Sequence, residues 1–416
     1  MKVSIINIGD ELLIGQVVNS NAATMSRMLV AAGMDVSEVA VIGDDGREIE
    51  ETLQRLERRC DAVLMTGGLG PTKDDITKKV LCEHYGSRLV ENVEALDNVR
   101  RIFESRGYEL TPVNRQQAWV PECCEMLNND LGTAPCMWFG PRREGDAVLV
   151  SMPGVPFEME WLMRNRVIPK LQSTFNTGAI VNKNILVQGI GESFLSDLIE
   201  PWELSLPENM RLAYLPSAGL TKLRITARGE DADKLREGIE RRLAGLYSIA
   251  EKYIVGEDCE TLEELVHKRL LEKRVTLATA ESCTGGTIAS RLTAQPGASA
   301  YMKGGVVAYS NEVKESTLGV RHETLATHGA VSEETVREMV EGVRRRLGAD
   351  YAIATTGIAG PDGGTKEKPV GTVWIAVSSE RETVAQLLQF GGNRRQQNID
   401  RSVNQAFAML LRMLKQ

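Results

Sequence analysis

The chain has 416 residues, 42% apolar and 25% charged, a balance that fits a globular protein of two or three domains. Its net charge of −8 argues against general nucleic-acid affinity, which needs lysine and arginine clustered against phosphate. Seven cysteines without a Cys-x-x-Cys pair argue against a disulfide framework and a structural zinc site. The lack of a long apolar run or a signal-like start points to a cytoplasmic protein with reduced thiols and no membrane association.

Residues 3–8 read as a buried strand, 21–32 as a helix closed by Gly33, and 36–42 as a second strand. A charged amphipathic helix over 47–58 and a third strand over 62–65 follow. This alternation implies a parallel sheet with helices on its faces. Such sheets bind ligands beyond the carboxyl ends of their strands, and the unusual residues fall there. Gly9-Asp10-Glu11-Leu12-Leu13-Ile14-Gly15 and Asn19-Ser20-Asn21 follow the first strand, Gly43-Asp44-Asp45-Gly46 the second. Thr66-Gly67-Gly68-Leu69-Gly70-Pro71-Thr72-Lys73-Asp74-Asp75 follows the third. A glycine-rich loop leading into a helix suits a phosphate. Carboxylates beside it suit a hard divalent cation bridging that phosphate. Taken singly, Gly67, Gly68 and Gly70 also suit a tight turn, and Asp74 and Asp75 a first helical turn.

Ser173-Thr174-Phe175-Asn176-Thr177-Gly178 is a candidate linker. A strand over 181–188 leads through Gly189-Ile190-Gly191-Glu192-Ser193 into a helix over 194–199. Strands over 211–215 and 222–227 flank the turn Pro216-Ser217-Ala218-Gly219, and 231–253 is a long charged helix.

Beyond residue 257, Thr261 caps a helix over 262–272, and 275–279 has strand character. The stretch Ala280-Glu281-Ser282-Cys283-Thr284-Gly285-Gly286 then joins that strand to a helix over 287–292. A hydroxyl at such a junction can attack a carbonyl, with amides around Thr284, Gly285 and Gly286 stabilising the oxyanion. The same residue types also serve as ordinary helix caps. Residues 304–309 form a strand followed by Ser310-Asn311-Glu312-Val313-Lys314, and Ser332 caps a helix ending at Leu347. A buried strand over 350–355 ends in Thr356-Gly357-Ile358-Ala359-Gly360-Pro361-Asp362-Gly363-Gly364. Paired strands over 371–377 and 383–389 and an amphipathic helix over 393–415 complete a second α/β layer structure. The base for Ser282 is either His322 or His328, both in polar surroundings, or Lys314, if desolvation keeps it neutral. Cys283 is a rival nucleophile.

The loop from Thr66 to Asp75, with Gly9-Asp10-Glu11-Leu12 before it and Met152-Pro153-Gly154-Val155-Pro156-Phe157-Glu158-Met159 after it, resembles the molybdopterin-binding fold. Together these stretches resemble the N-terminal half of the CinA family, the competence/damage-inducible proteins. The middle resembles that family's KH-type domain, although Gly189-Ile190-Gly191-Glu192 lacks the second glycine of a nucleic-acid clamp and carries an acid. That departure favours a spacer or dimer element over RNA binding. The nucleophile stretch, Tyr309-Ser310-Asn311-x-x-Lys314, His328-Gly329-Ala330-Val331-Ser332, the loop from Thr356 to Gly364 and Lys368-Pro369-Val370-Gly371-Thr372-Val373 match the CinA C-terminal domain. That domain is similar to the nicotinamide-nucleotide amidohydrolases.

The resemblance implies two three-layer α/β domains, over 1–172 and 257–416, joined by a small α+β KH-type domain over 173–256. It implies hydrolysis of nicotinamide mononucleotide at Ser282, Tyr309 and Lys314 without a metal. Thr356, Gly357, Gly360, Gly363, Gly364 and Arg394 would hold that substrate. At the N-terminal site it implies diphosphate cleavage of ADP-ribose with Mg, Mn or Co. There the ligands come from Asp10, Glu11, Asp44, Asp74 and Asp75, and the phosphates are held by Gly67, Gly68, Gly70 and Thr72. A homodimer is also implied. The alternatives are a molybdopterin-binding enzyme and a competence- or DNA-associated scaffold. Two departures stand out. Asn19-Ser20-Asn21 replaces the family's Asp-Thr-Asn, and Cys136 replaces a glycine after Thr133-Ala134-Pro135.

Overall fold

The computed structural model of the chain describes residues 1–70, 75–105, 107–175, 177–392 and 394–415. It divides into two compact units, Met1–Val181 with Ala227–Arg236, and Asn182–Thr226 with Glu237–Gln416. Among the described residues no helix is long and apolar enough to cross a membrane.

The strands β1 (Lys2–Ile8), β2 (Asp35–Ile42) and β3 (Ala62–Thr66) open the chain. β4 (Leu89–Glu91), β5 (Trp119–Pro121), β6 (Glu125–Leu127), β7 (Cys136–Phe139) and β8 (Val148–Met152) follow. β4 and β5 pair with each other, and the rest form a six-stranded sheet in the order β2-β1-β3-β8-β7-β6. The first four of that order run parallel, whereas β7 is antiparallel to β8 and β6 to β7. The sheet is therefore mixed, not wholly parallel as the element order implied. The segment between β7 and β8 is too short for the crossover that a parallel pair needs.

Alternation along β1 sorts its side chains between two layers. Val3 and Ile5 pack with Met25 and Leu29 of the helix Ser20–Ala31. Ile6 and Ile8 pack with Ile49 and Leu53 of the helix Gly46–Glu57. Fully burying each such side chain contributes about 1.5–3 kcal/mol.

The next four strands are β9 (Ala179–Gln188), β10 (Met210–Ser217), β11 (Leu220–Gly229) and β12 (Ile254–Glu257), arranged β10-β11-β9-β12. β12 pairs antiparallel with β9 and was not legible in the sequence, being four residues at the end of a helical stretch. The helix Glu192–Glu203 runs longer than expected and tolerates Pro201 within it. The long helix is Ala232–Ala250.

The last sheet has the order β14 (Met302–Val307), β13 (Leu277–Glu281), β15 (Tyr351–Gly357), β16 (Thr372–Ser378), β17 (Thr383–Gln389). β13 is parallel to both its neighbours, and β16 and β17 continue antiparallel. One face carries the helices Leu262–Lys273 and Arg395–Lys415 through Leu265, Phe407, Ile353 and Ile375. The other is lined by Ala278, Ala280, Ala352 and Ala354, which let Val336 and Val340 of the helix Glu333–Leu347 settle on the sheet. In the same helix a Cβ on Gly342 would lie 1.9 Å from the Leu318 carbonyl oxygen.

Candidate active sites

Ser282 stands at the carboxyl end of β13, between β14 and β15, and its amide donates to the Thr355 carbonyl at 3.0 Å. The strand runs through Glu281, two residues beyond the expected end. Glu281 is 1% exposed. Its carboxylate accepts from the Thr284 hydroxyl at 2.7 Å and from the amides of Gly286, Ile288 and Ala289 at 3.1, 3.0 and 2.9 Å. It thus takes up the free N–H groups at the start of the helix Thr287–Thr293. Gly285 and Gly286, at φ +61° and +94°, make the reversal this needs.

That capping corrects the expectation for the oxyanion donors. The Gly286 amide is held by Glu281 and the Gly285 amide by the Ser282 carbonyl at 3.1 Å. Of the three residues, Thr284 alone has an amide without a protein acceptor among the described residues.

Lys314 lies on the helix Asn311–Leu318, which Ser310 caps by accepting from the Val313 amide at 3.3 Å. Lys314 is 1% exposed, with Nζ 3.2 Å from Ser282 Oγ. Nζ also donates to the Ala308 and Tyr309 carbonyls at 2.9 and 3.3 Å. Burial holds its pKa below the ordinary value of 10.5, against a smaller opposite pull from Cys283. A neutral amine so placed gives two N–H groups to the carbonyls and turns its lone pair to the serine hydroxyl. This is the arrangement of a general base.

The Tyr309 side chain is 64% exposed. It is the Tyr309 carbonyl that reaches Lys314; the hydroxyl instead accepts from Arg395 Nη2 at 3.1 Å. Arg395 Nη1 donates to the Gly360 carbonyl at 2.9 Å. Arg394 was the arginine expected at the site, but its neighbour makes these contacts. The readable signal was spacing: Asn398, one turn on, donates to the Ala359 carbonyl at 3.0 Å and pins the same loop. In that loop Thr356 is buried and donates to the Ala330 carbonyl at 2.6 Å. Cβ atoms on Gly357, Gly360 and Gly364 would collide with Val373 or Val370, while Gly363 adopts φ +89°.

The rivals separate on geometry. Burial pushes the Cys283 thiol up to about 12, so it stays protonated. His322 pairs with Glu315 at 3.0 Å and His328 with Glu334 at 3.4 Å, and neither meets Ser282.

In the other unit a cleft of about 450 Å³ opens at the carboxyl ends of β1, β2 and β3. It is lined by Glu11, Asp44, Gly67, Gly68, Gly70 and Asp75, and by Glu158, a residue not singled out from the sequence. Glu158 accepts from Asn129 Nδ2 at 2.7 Å. Asp10 and Asp44 brace each other's loops: the Asp10 amide donates to Asp44 Oδ2 at 3.2 Å, and the Asp44 amide to Asp10 Oδ1 at 3.3 Å. Cβ atoms on Gly67 and Gly68 would lie 2.2 Å from the Ile8 carbonyl oxygen and 2.1 Å from Thr77 Oγ1. The Gly67 amide donates to the Met152 carbonyl and the Gly70 amide to Asp75 Oδ1. Of these three glycines, Gly68 keeps its amide open for a phosphate, among the described residues. Lys78, whose buried amine is held down to about 8, donates to the carbonyl of Gln117 beside this cleft. Thr72 and Asp74 lie outside the described residues.

Among the described residues no three carboxylate, histidine or cysteine side chains converge as a metal cage. Glu11, Asp44 and Asp75 nevertheless line one cleft with the open Gly68 amide. This suits a magnesium-like ion, which takes one or two carboxylates and completes its shell with water and substrate phosphates. At the departure, Asn19 does not line the cleft of Glu11, Asp44 and Asp75 but a smaller cavity that shares Glu11 with it, and its side chain accepts from the Ala22 amide at 3.1 Å and caps the helix Ser20–Ala31. Cys136 is fully buried at the start of β7.

Three family models match the chain in succession: a probable molybdopterin binding domain over residues 4–173, the damage-inducible protein CinA KH domain over 182–256, and the CinA C-terminal domain over 259–414. A CinA-like protein of Flavobacterium psychrophilum is 43% identical over 412 residues, covering 99% of this chain and 98% of that protein. A putative competence-damage inducible protein of Halothermothrix orenii is 39% identical, covering 100% of this chain and 99% of that protein. Among solved structures, a competence-damaged protein (CinA) superfamily protein from Klebsiella pneumoniae is 42% identical, with a TM-score of 0.36, covering 38% of this chain and 99% of that one. With this identity along nearly its whole length, the chain belongs to the CinA family, with molybdopterin-binding-like, KH and CinA C-terminal domains in that order.

Proposed function

We propose that the C-terminal domain hydrolyses the carboxamide of nicotinamide mononucleotide to nicotinate mononucleotide and ammonia, with Ser282 as nucleophile and Lys314 as its base. The observation that carries this reading is the buried amine of Lys314 at 3.2 Å from Ser282 Oγ. The Ser282 proton moves to Lys314 Nζ as Oγ bonds the carboxamide carbon, and the carbonyl electrons go to oxygen, facing the Thr284 amide. Collapse of that intermediate breaks the C–N bond, and Lys314 returns its proton to the leaving ammonia. Water, deprotonated by Lys314, then releases the acid from the acyl-serine. Arg395 offers a cation for the substrate phosphate beside Tyr309 and the loop at Gly360. Thr356, Gly357, Gly363 and Gly364 would shape the loop that faces that phosphate. None of these steps calls for a metal.

For the N-terminal domain the reading is cleavage of the ADP-ribose diphosphate. Glu11, Asp44, Asp75 and Asp74 would supply ligands to a divalent ion, Mg, Mn or Co, which when bound offsets diphosphate charge and activates water. Asp10 braces Asp44. Gly68 would offer its amide to a phosphate, with Gly67 and Gly70 shaping the loop around it, and Thr72 is proposed to help hold the phosphates. The protein would work in pyridine-nucleotide salvage as a cytoplasmic homodimer, with no nucleic-acid or membrane partner. A molybdopterin-binding enzyme and a competence- or DNA-associated scaffold are weaker readings, because the Ser282–Lys314 pair has no use in either.

Ammonia release from nicotinamide mononucleotide in EDTA tests the first activity. It should persist in wild type and fall at least a thousandfold in Ser282→Ala. No release from wild type would remove the reading. Phosphate-ester products from ADP-ribose should need the metal and vanish in Asp74→Ala; undiminished cleavage there would remove Asp74 from the site.

A further inference from the structure

The two halves of the amide-cleaving site stand on different helices. The turn of Ser282 is fixed to the helix Thr287–Thr293, whose first amides bind the Glu281 carboxylate. Arg395 and Asn398, which donate to the Gly360 and Ala359 carbonyls, stand in the first turn of the helix Arg395–Lys415. A substrate anchored at its phosphate and attacked at its amide needs these two helices in fixed register.

Arg291 spans them. It lies in the last turn of the first helix, with Nη2 paired to Asp400 Oδ1 and Nη1 donating to Asn404 Oδ1 at 3.2 Å. Asp400 follows Arg395 by less than two helical turns. Apolar packing also joins the two helices, through Ile288 and Leu292 on one and Val403 and Phe407 on the other, but it begins beyond Asp400. At the level of the bridge, Arg291, Asp400 and Asn404 line a cavity of about 620 Å³, so polar contact joins the helices there.

A third element meets the bridge. Asn404 is 7% exposed and uses both ends of its amide: Oδ1 accepts from Arg291, and Nδ2 donates to the Ala218 carbonyl at 2.8 Å. Ala218 lies in the turn between β10 and β11 of the KH-type domain, and Leu220 beside it reaches the core of the C-terminal domain.

We propose that Arg291 is a positioning residue for the amide cleavage, setting Ser282 against the phosphate-holding Arg395, and that the KH-type domain steadies it through the Ala218 carbonyl. The inference rests on the C-terminal reading for its substrate, and it gives the middle domain a part in that reaction.

The test compares ammonia release from nicotinamide mononucleotide and from nicotinamide riboside, which has no phosphate for Arg395, by the full-length wild type and variants. In Arg291→Leu kcat for the mononucleotide should fall about ten- to a hundredfold, while that for the riboside stays within about twofold. General damage slows both alike; that result, or an unchanged mononucleotide rate, would overturn the proposal. The Arg291 and Asp400 side chains are 27% and 26% exposed, so the site should tolerate substitution. Asp400→Asn, which keeps the shape and removes the charge, should show the same selective loss on a smaller scale. Asn404→Asp still accepts from Arg291 but no longer donates to Ala218. It should slow the mononucleotide alone by about two- to tenfold; an unchanged rate would remove the KH-type domain from the role. If wild type releases ammonia from neither compound, the amide-cleaving reading falls. In that case, or if the riboside alone is inert, hydrogen exchange decides: the peptide covering residues 356–364 should exchange faster in Arg291→Leu than in wild type, and equal exchange overturns the bridge.

Discussion

The amine of Lys314 sits 3.2 Å from the hydroxyl of Ser282, with both side chains nearly out of solvent. Two carbonyls, of Ala308 and Tyr309, hold the amine, and no carboxylate is hydrogen-bonded to it among the described residues. The lysine is therefore kept in place without being kept charged. Because its folded pKa is lowered, the working neutral form grows as pH rises through that value. Amide hydrolysis should climb with pH and be lost as pH falls below it. Lys314→Met should cut kcat about 10²–10⁴-fold and abolish this limb. Lys314→Arg should not rescue it, because a guanidinium stays charged. A pH–rate profile for each variant checks this.

Glu281 binds three amides and one hydroxyl around the turn that carries Ser282. Glu281→Gln puts N–H groups against N–H groups in a buried place. Each lost bond to a charged acceptor is worth about 1.5–3 kcal/mol, so the variant should lose about 3 kcal/mol or more by urea unfolding. Its kcat should fall at unchanged KM, because the Thr284 amide moves with the turn. A stable, fully active variant would remove Glu281 from this role.

Arg395, and not Arg394, reaches the Gly360 carbonyl and the Tyr309 hydroxyl. Arg395→Ala should raise KM for nicotinamide mononucleotide about ten- to a hundredfold, the loss of one charge-assisted phosphate contact. Arg394→Ala should leave KM within about twofold, since an exposed arginine typically contributes less than about 1 kcal/mol. Steady-state kinetics on the two variants distinguish them directly.

In the N-terminal unit His84 lies between two carboxylates. Its Nε2 is 2.9 Å from the buried Glu57 and its Nδ1 2.9 Å from Glu50. Burial alone would lower its pKa, but the hydrogen bonds to Glu57 and Glu50 and their charges together raise it above 6.5. The stability it contributes is full below the unfolded value and is lost as pH rises through the folded one. Each tenfold gain in the ring's proton affinity on folding corresponds to about 1.4 kcal/mol. The melting temperature should therefore fall from slightly acid to slightly alkaline pH. His84→Gln should flatten that slope.

Much of the layer structure was legible because strand and helix periods differ and glycine-rich breaks punctuate them. The run from Val3 to Ile8, the cap at Ser332 and the Ser282 junction all carry such local signals. What could not be read depends on contacts between distant segments. The reversal at β7 follows from loop length and pairing. The loss of the Gly286 amide follows from where Glu281 turns its carboxylate, and that of the Gly285 amide from the tight turn that sets it on the Ser282 carbonyl. Likewise, Tyr309 and Lys314 could be seen to leave one strand end together, but not that the tyrosine would use its carbonyl and give its hydroxyl to Arg395. Asn7 looked like an ordinary strand residue; only the fold shows its amide buried and, among the described residues, unpaired.

The most direct test of a serine nucleophile with a lysine base is to trap the acyl-enzyme. Wild type mixed with nicotinamide mononucleotide at mildly acid pH, where deacylation slows, should be quenched and digested for mass spectrometry. A serine nucleophile predicts a nicotinate mononucleotide adduct on the peptide bearing Ser282, absent from Ser282→Ala and much reduced in Lys314→Met. Ammonia released with no adduct in any quench, or an adduct on Cys283, would contradict it.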